Sequence, residues 1–431
     1  MELLLIGLIF LGGLLAFYAL GMPVAAAIGS ACVLIMLSPF GPPLNYGLMS
    51  NELMHGLNSF TLLAVPFYLM LGRLMNRTDM TSDVFDFANA VFGRVRGGIA
   101  QVNIGASVIF SGMSGLAVAD AAGLGRVEYN AMRDQGYDKK TAIGVTGASS
   151  IIGPIIPPSV PIILYGVLAE ESIGALFLAG IVPGLLLAAV LSVFTYLVVR
   201  WKGYGKGEAA GLRTIGQEFV NALPALLIPV FIVGGILSGM FTATEAGAVA
   251  VIYAIGLGFY QGSLTGEVLL QEFQEGMVET FSILFIISLA MLYGLVALQL
   301  RIPILLADAI TGFTTNPTVA ILIFVPLFML IGTFMSITAT IMIMVPILMP
   351  IIETLGIDPI HFGIVMILSL MTGVVTPPLG SVLFVLEKVT DASLETVMRA
   401  MVLFYIPLLI VILIVALVPE VSIYVPNHYF F

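Results

Sequence analysis

GPIIPPSVPIIL, residues Gly153 to Leu164, interrupts a long apolar run where a continuous membrane helix has no reason to break. Proline at 154, 157, 158 and 161 removes four backbone donors, and each ring clashes with the turn before it. In lipid an unsatisfied backbone group costs several kcal/mol. Broken backbone at that depth therefore survives only inside protein or beside a water-filled cavity. The same device recurs in GVVTPPLGSVL, Gly373 to Leu383, and the pairs Pro157-Pro158 and Pro377-Pro378 lie 220 residues apart. Gly153, Pro157, Pro158, Gly373, Pro377 and Pro378 thus mark two helix breaks.

The surrounding chain is built for lipid. Of 431 residues 60% are hydrophobic and 9% charged, and mean hydropathy is +1.13, which places it among polytopic, all-α membrane proteins. Residues 1–18 lack a basic start and a small-residue cleavage site, so they read as a retained first helix. The lone cysteine, Cys32, excludes an intramolecular disulfide framework and reads as a buried small hydrophobe. There is no long polar stretch, so any soluble partner must be another chain.

Ten apolar segments are long enough to span, at about 3–20, 22–38, 57–72, 142–168, 174–199, 219–238, 240–260, 281–298, 362–387 and 400–418. Two further regions, 98–127 and 318–352, are apolar yet centred on small polar residues. Twelve of the fifteen basic residues fall in three clusters: Arg73, Arg77, Arg94, Arg96; Arg126, Arg133, Lys139, Lys140; and Arg200, Lys202, Lys206, Arg213. The positive-inside rule places all three in the cytoplasm. Segment 98–127 then has both ends inside and must enter and return as a re-entrant hairpin. Continuing the count makes 318–352 a hairpin from the opposite side, with both termini outside and Arg301 the one basic residue left there. Residues 262–280 read as an amphipathic cytoplasmic helix, with Val268, Leu269, Phe273 and Met277 apolar and acids between them.

Shifting the chain by 220 positions matches Gly112 with Gly332, Ala119 with Ala339, Gly136 with Gly356, Asp138 with Asp358, and Gly153 with Gly373, besides the proline pairs. The order span, hairpin, GxD loop, broken span, final span also repeats. The hairpins enter from opposite sides, so the two repeats have inverted topology, as in secondary transporters. The expected organisation is 1–56 as N-terminal scaffold helices, 57–200 as repeat one, 201–280 as connecting helices, 281–418 as repeat two and 419–431 as a periplasmic tail. Prolines that merely kink helices of a scaffold are the competing reading.

A broken helix offers carbonyls to a cation and a positive N-terminal end to an anion. The breaks supply Thr146, Ser149, Ser150 and Ser159, and Thr372, Thr376 and Ser381; the hairpin tips supply Ser111, Ser114, Ser336, Thr338 and Thr340. Two oxygen-rich sites of this kind suit sodium. For any one hydroxyl the competing reading is a bond back to its own helix. Asp120 is an ionisable group at membrane depth, or a helix cap. Arg301 is a partner for an anion, or an interfacial snorkelling residue. Glu245 with Thr242 reads as a capping box. There is no GxxxxGK[ST], no HExxH and no metal-spaced Cys or His, which leaves an ATP-driven pump and a membrane protease unsupported. Transport would draw on an ion gradient.

GMFTATEAGAVAV, GASSIIGPIIPPSVPIILYG, ADAAGLG, LGIDPIHFGIV and TGVVTPPLG resemble the large membrane subunit (DctM type) of TRAP, or tripartite ATP-independent periplasmic, transporters, over about 21–418. The resemblance implies an elevator-like architecture of the ion-transporter superfamily and sodium-coupled import of an organic acid, a C4-dicarboxylate or sialic acid, across the bacterial inner membrane. It implies a separate small membrane subunit and a periplasmic substrate-binding protein as partners, no nucleic acid, and no cofactor beyond sodium ions. Carried over, substrate would meet Arg301, Asp120, Ser159, Ser336 and Ser381. Sodium would take Ser111, Ser114, Thr146, Ser149, Ser150 and Pro157 at one site, and Thr338, Thr340, Thr372, Thr376 and Pro377 at the other. Many members carry an acidic residue where GTFMSIT has Ser336. Two other functions fit the same pattern: a self-sufficient sodium/anion symporter needing no binding protein, and a channel or non-transporting scaffold.

Overall fold

A computed structural model describes residues 2–39, 41, 46–55, 57–78, 80–95, 97–114, 117–205 and 211–429, and every regular element among them is a helix. The chain begins with α1 (Glu2–Ala19), α2 (Val24–Leu37) and α3 (Tyr46–His55). Repeat one follows as α4 (Ala64–Arg77), α5 (Met80–Phe92), α6 (Gly98–Ser114), α7 (Ala117–Ala122), α8 (Leu124–Asp134), α9 (Lys139–Ser149), α10 (Val160–Leu168) and α11 (Ile173–Lys202). Then come α12 (Leu212–Leu237), α13 (Ala243–Tyr260) and α14 (Gly266–Gln299). The second set is α15 (Ile302–Phe313), α16 (Pro317–Phe334), α17 (Ile337–Thr354), α18 (Pro359–Val374), α19 (Ser381–Thr390), α20 (Leu394–Met401), α21 (Tyr405–Leu417) and α22 (Glu420–Tyr429). Seven stretches are apolar and long enough to cross a bilayer unaided: α11, α12, α13, α14, α16, α17 and the run from α20 through α21.

The 220-residue periodicity recurs in local chemistry. Gly136 and Gly356 both take positive φ, ending the helix before each GxD loop, a conformation that costs a side chain dearly and glycine little. The aspartates that follow are both N-caps: Asp138 accepts from Thr141 N at 3.0 Å and Asp358 from His361 N at 2.9 Å. Ser172 and Ser393 cap the helices after each break in the same way. The proline pairs Pro157-Pro158 and Pro377-Pro378 both have cis peptide bonds. Thr242 and Glu245 close the expected capping box at the start of α13.

Two expectations change. The stretch 262–280 is not a separate surface helix: residues 266–280 are the first half of α14, which runs unbroken for 34 residues. The acids that gave the stretch its amphipathic pattern are held by Arg73 on α4 rather than by water alone. Each hairpin also serves both breaks. The arms of the first, α6 and α8, pack on α9, and those of the second, α16 and α17, pack on α18. The second halves cross over: α10 packs on α17, and α19 on α7. Tyr165 also ties α10 to α18 by donating to the Pro359 carbonyl at 2.6 Å, with its ring seated where a Cβ at Gly363 would sit.

Candidate functional site

Backbone accounting at the breaks decides what they can offer. In the first, Ile152 N donates to Ser149 O at 3.0 Å and Ile155 N to Ile152 O at 3.1 Å. Ser159 Oγ donates to the Pro154 carbonyl at 2.5 Å and accepts from Ile162 N as the N-cap of α10. In the second, Thr376 N donates to Gly373 O at 2.9 Å and Tyr405 OH to Val375 O at 2.8 Å. The freed groups are thus largely satisfied by turns and side chains, as low-dielectric surroundings require. Gly373 and Gly332 allow α18 and α16 to touch backbone to backbone; a Cβ at either would overlap the other helix.

The breaks and hairpins converge on a cavity of about 510 Å³. Pro154 and Pro161 reach it from the first break, Ala117, Val118 and Ala122 from α7, Ser336, Ile337 and Thr338 from the tip of the second hairpin, and Met371 and Ser381 from the second break. The far wall is α4 and α14, with Arg73, Asn76 and Arg77 on the first and Glu272 and Glu279 on the second. Ser336 caps α17 by accepting from Ala339 N at 3.3 Å. Thr338 and Ser381 make no side-chain hydrogen bond among the described residues and are partly exposed.

The remaining predicted hydroxyls lie outside the cavity lining, most of them buried. Asn103 of α6 donates to Thr146 Oγ1 at 2.8 Å and accepts from Ser149 Oγ at 2.6 Å, all three fully buried. Ser111, Ser150, Thr340, Thr372 and Thr376 donate to carbonyls three or four residues back, as the bland reading of a helical hydroxyl holds. The side chain of Ser114 lies outside the described residues. Asp120 is buried on α7, and a Cβ at Gly153 would overlap its carboxylate, so glycine there lets the first break close over the acid. Glu128, also buried, accepts from Ser107 Oγ at 3.3 Å and has Asp120 as an electrostatic neighbour. Arg301 does not line the cavity; it is an exposed residue in left-handed conformation at the start of α15.

Sequence reasoning therefore missed Asn103, Glu128 and the charged wall. Asn103 was visible as an amide in the apolar run QVNIGASVIF, and the wall as Arg73 and Arg77 spaced i, i+4 opposite Glu272, Glu275 and Glu279 spaced i, i+3, i+7. Arg73 contacts all three acids, with Nη2 2.9 Å from Glu272 and Nη1 3.6 Å from Glu279, and Arg77 Nε lies 3.7 Å from Glu272. At the other edge of repeat one, burial works to raise the Asp138 carboxyl, but hydrogen bonds from Lys202, Thr141 and Tyr204 hold it well below the usual carboxylate range.

Twin broken helices and two hairpins, converging on a cavity that carries hydroxyls and charged side chains, fit a polytopic membrane transporter. Residues 11–421 match the family described as "Tripartite ATP-independent periplasmic transporter, DctM component", and the chain belongs to that family: a transporter permease, not an enzyme. It is 39% identical to the sialic acid TRAP transporter large permease protein SiaM of Vibrio cholerae, covering 98% of each chain. It is 37% identical to the C4-dicarboxylate TRAP transporter large permease protein DctM of Pseudomonas aeruginosa, over 85% of this chain and 86% of that one. The Alcanivorax borkumensis YdaH transporter shares the fold, with a TM-score of 0.65 over 96% of this chain and 98% of its own at 14% identity.

Proposed function

We propose that this chain carries an organic acid of the sialic acid or C4-dicarboxylate class into the cell, driven by sodium, within an inverted-repeat, elevator-like architecture. The observation that carries the reading is the cavity on which both hairpins and both breaks converge, lined by Ser336, Thr338 and Ser381. Hydroxyls and helix ends of this kind solvate a carboxylate at low cost. Arg73 and Arg77 belong to the first basic cluster, so the cavity faces the cytoplasm and the chain stands in its release-side state. Asp120 moves from the substrate to the ion side: two buried carboxylates, Asp120 and Glu128, beside the first break favour a cation over an anion. Asn103, Thr146 and Ser149 supply neutral oxygens nearby. A small membrane subunit, as a separate chain, and a periplasmic binding protein complete the system in the bacterial inner membrane.

Proteoliposomes containing the chain, its small subunit and the binding protein should accumulate N-acetylneuraminate or succinate only under an inward sodium gradient. Unchanged uptake in sodium-free buffer under a proton gradient would refute the coupling ion. Equal uptake with the binding protein omitted would favour a self-sufficient symporter.

A further inference from the structure

The cavity contains two cations, and both stand on α4, opposite the hairpin tips and the breaks. Arg73 is committed. Its guanidinium meets Glu272, Glu275 and Glu279: the side chains of Arg73 and Glu272 are 24% and 12% exposed, while Glu275 and Glu279 reach solvent at 51% and 41%. Arg77 is different. Its one ion-pair contact among the described residues is the Nε approach to Glu272 at 3.7 Å, and its side chain is half exposed at the cavity wall. The terminal amino groups of that fork, which match a planar carboxylate with two parallel hydrogen bonds, make no hydrogen bond among the described residues.

Glu272 is the second element. One of its oxygens faces Arg73 and the other the Nε of Arg77, so a carboxylate of the chain itself stands beside the fork that a substrate carboxylate would meet. The wall as a whole sets two guanidinium groups against three carboxylates and therefore does not hold an anion by net charge. An anion gains there only by meeting the Arg77 fork directly, with Ser336, Thr338 and Ser381 available to its remaining oxygens.

Resting on the reading of this cavity as the substrate path, we propose that Arg77 receives the carboxylate of the transported acid and that Glu272 is the resident carboxylate it exchanges with. Arg77 thereby selects for a free carboxylate, and Glu272 weakens the hold enough for release. The acid pairs with Arg77 on the wall side and with the hydroxyls on the hairpin side. Arg73 stays with Glu275 and Glu279 and keeps the wall in place.

The test is equilibrium binding of radiolabelled N-acetylneuraminate and succinate to the purified full chain in sodium buffer, for the wild type, R77Q, R77K and E272Q. Loss of a charge-assisted pair predicts binding weaker by about tenfold to a hundredfold in R77Q, with part of it kept in R77K. E272Q should bind several-fold tighter, a shift that damaged protein cannot mimic. The wild type should prefer each acid over its methyl ester, and R77Q should lose that preference. R77Q binding like the wild type, or E272Q weakening binding as R77Q does, would leave Arg77 and Glu272 as a brace between α4 and α14 and overturn the assignment alone. A wild type that binds neither acid overturns the cavity reading together with it.

Discussion

The two breaks share a backbone and differ in almost everything attached to it. Shifting by 220 residues superposes Gly153 on Gly373 and the two proline pairs, but it sets Asn103 against Ile323, Ser159 against Leu379 and Thr146 against Met366. The first break is sealed. Its residues are buried from Ser149 to Ser159 except for half-buried Ile156, and its hydroxyls are taken by Asn103, by Pro154 O and by their own helices. The second faces outward: Pro378 and Leu379 are exposed, and α19 starts at Gly380 without a side-chain cap. The two breaks thus share the device that interrupts a helix and differ in polar lining, with hydrogen-bonded oxygens closed in at the first and Ser381 open to the cavity at the second.

Substitutions can break this contrast. Asn103→Ala removes the shared partner of two buried hydroxyls and should lower stability by about 2–3 kcal/mol, read as a drop in Tm of the purified chain in detergent. A Tm equal to that of the wild type would mean that the first break is not internally sealed. Next in size, Ser159→Ala loses a cap and a bond to the Pro154 carbonyl and should cost about 1–2 kcal/mol. Ser381→Ala should leave Tm unchanged and instead weaken uptake, because the Ser381 side chain makes no hydrogen bond among the described residues. Equal Tm losses at both positions would erase the difference between the breaks.

The smallest effect is at Asp138, outside the breaks. Its carboxyl is depressed in the folded chain, so it stabilises above the ordinary aspartate value of about 4 and loses that contribution as pH falls through its lower folded value. The side chain is 43% exposed, so screening holds the effect to about 1 kcal/mol at most. The Tm gap between wild type and Asp138→Asn should be flat from about pH 5 to 8 and shrink below about pH 4. A gap that widens on acidification would contradict the Lys202 and Tyr204 pairing.

Much of the frame was legible because it is written locally. Prolines announce the breaks, the two apolar regions with small polar centres announce the hairpins, and Asp138, Asp358 and Thr242 announce caps within three residues of their partners. The continuity of α14 was hidden because its 34 residues, about 50 Å at 1.5 Å each, outrun a hydrocarbon core of about 30 Å. The overhang carries an acidic face that looks like a separate surface helix. The cavity was hidden for another reason. Arg73 meets Glu272 at a sequence separation of 199, and no local pattern pairs them. Arg301 drew attention for its solitude on the outer side, whereas the cations that line the cavity sat within a basic cluster and were spent on topology.

The crossing of α10 onto α17 and of α19 onto α7 has a mechanical meaning. Each hairpin packs on one half of the other's broken helix, so a shift of either hairpin bears on both breaks. Packing of this kind ties the two hairpins and both halves of each break into one mechanical unit. A push on either hairpin tip is then felt at both breaks through direct contact.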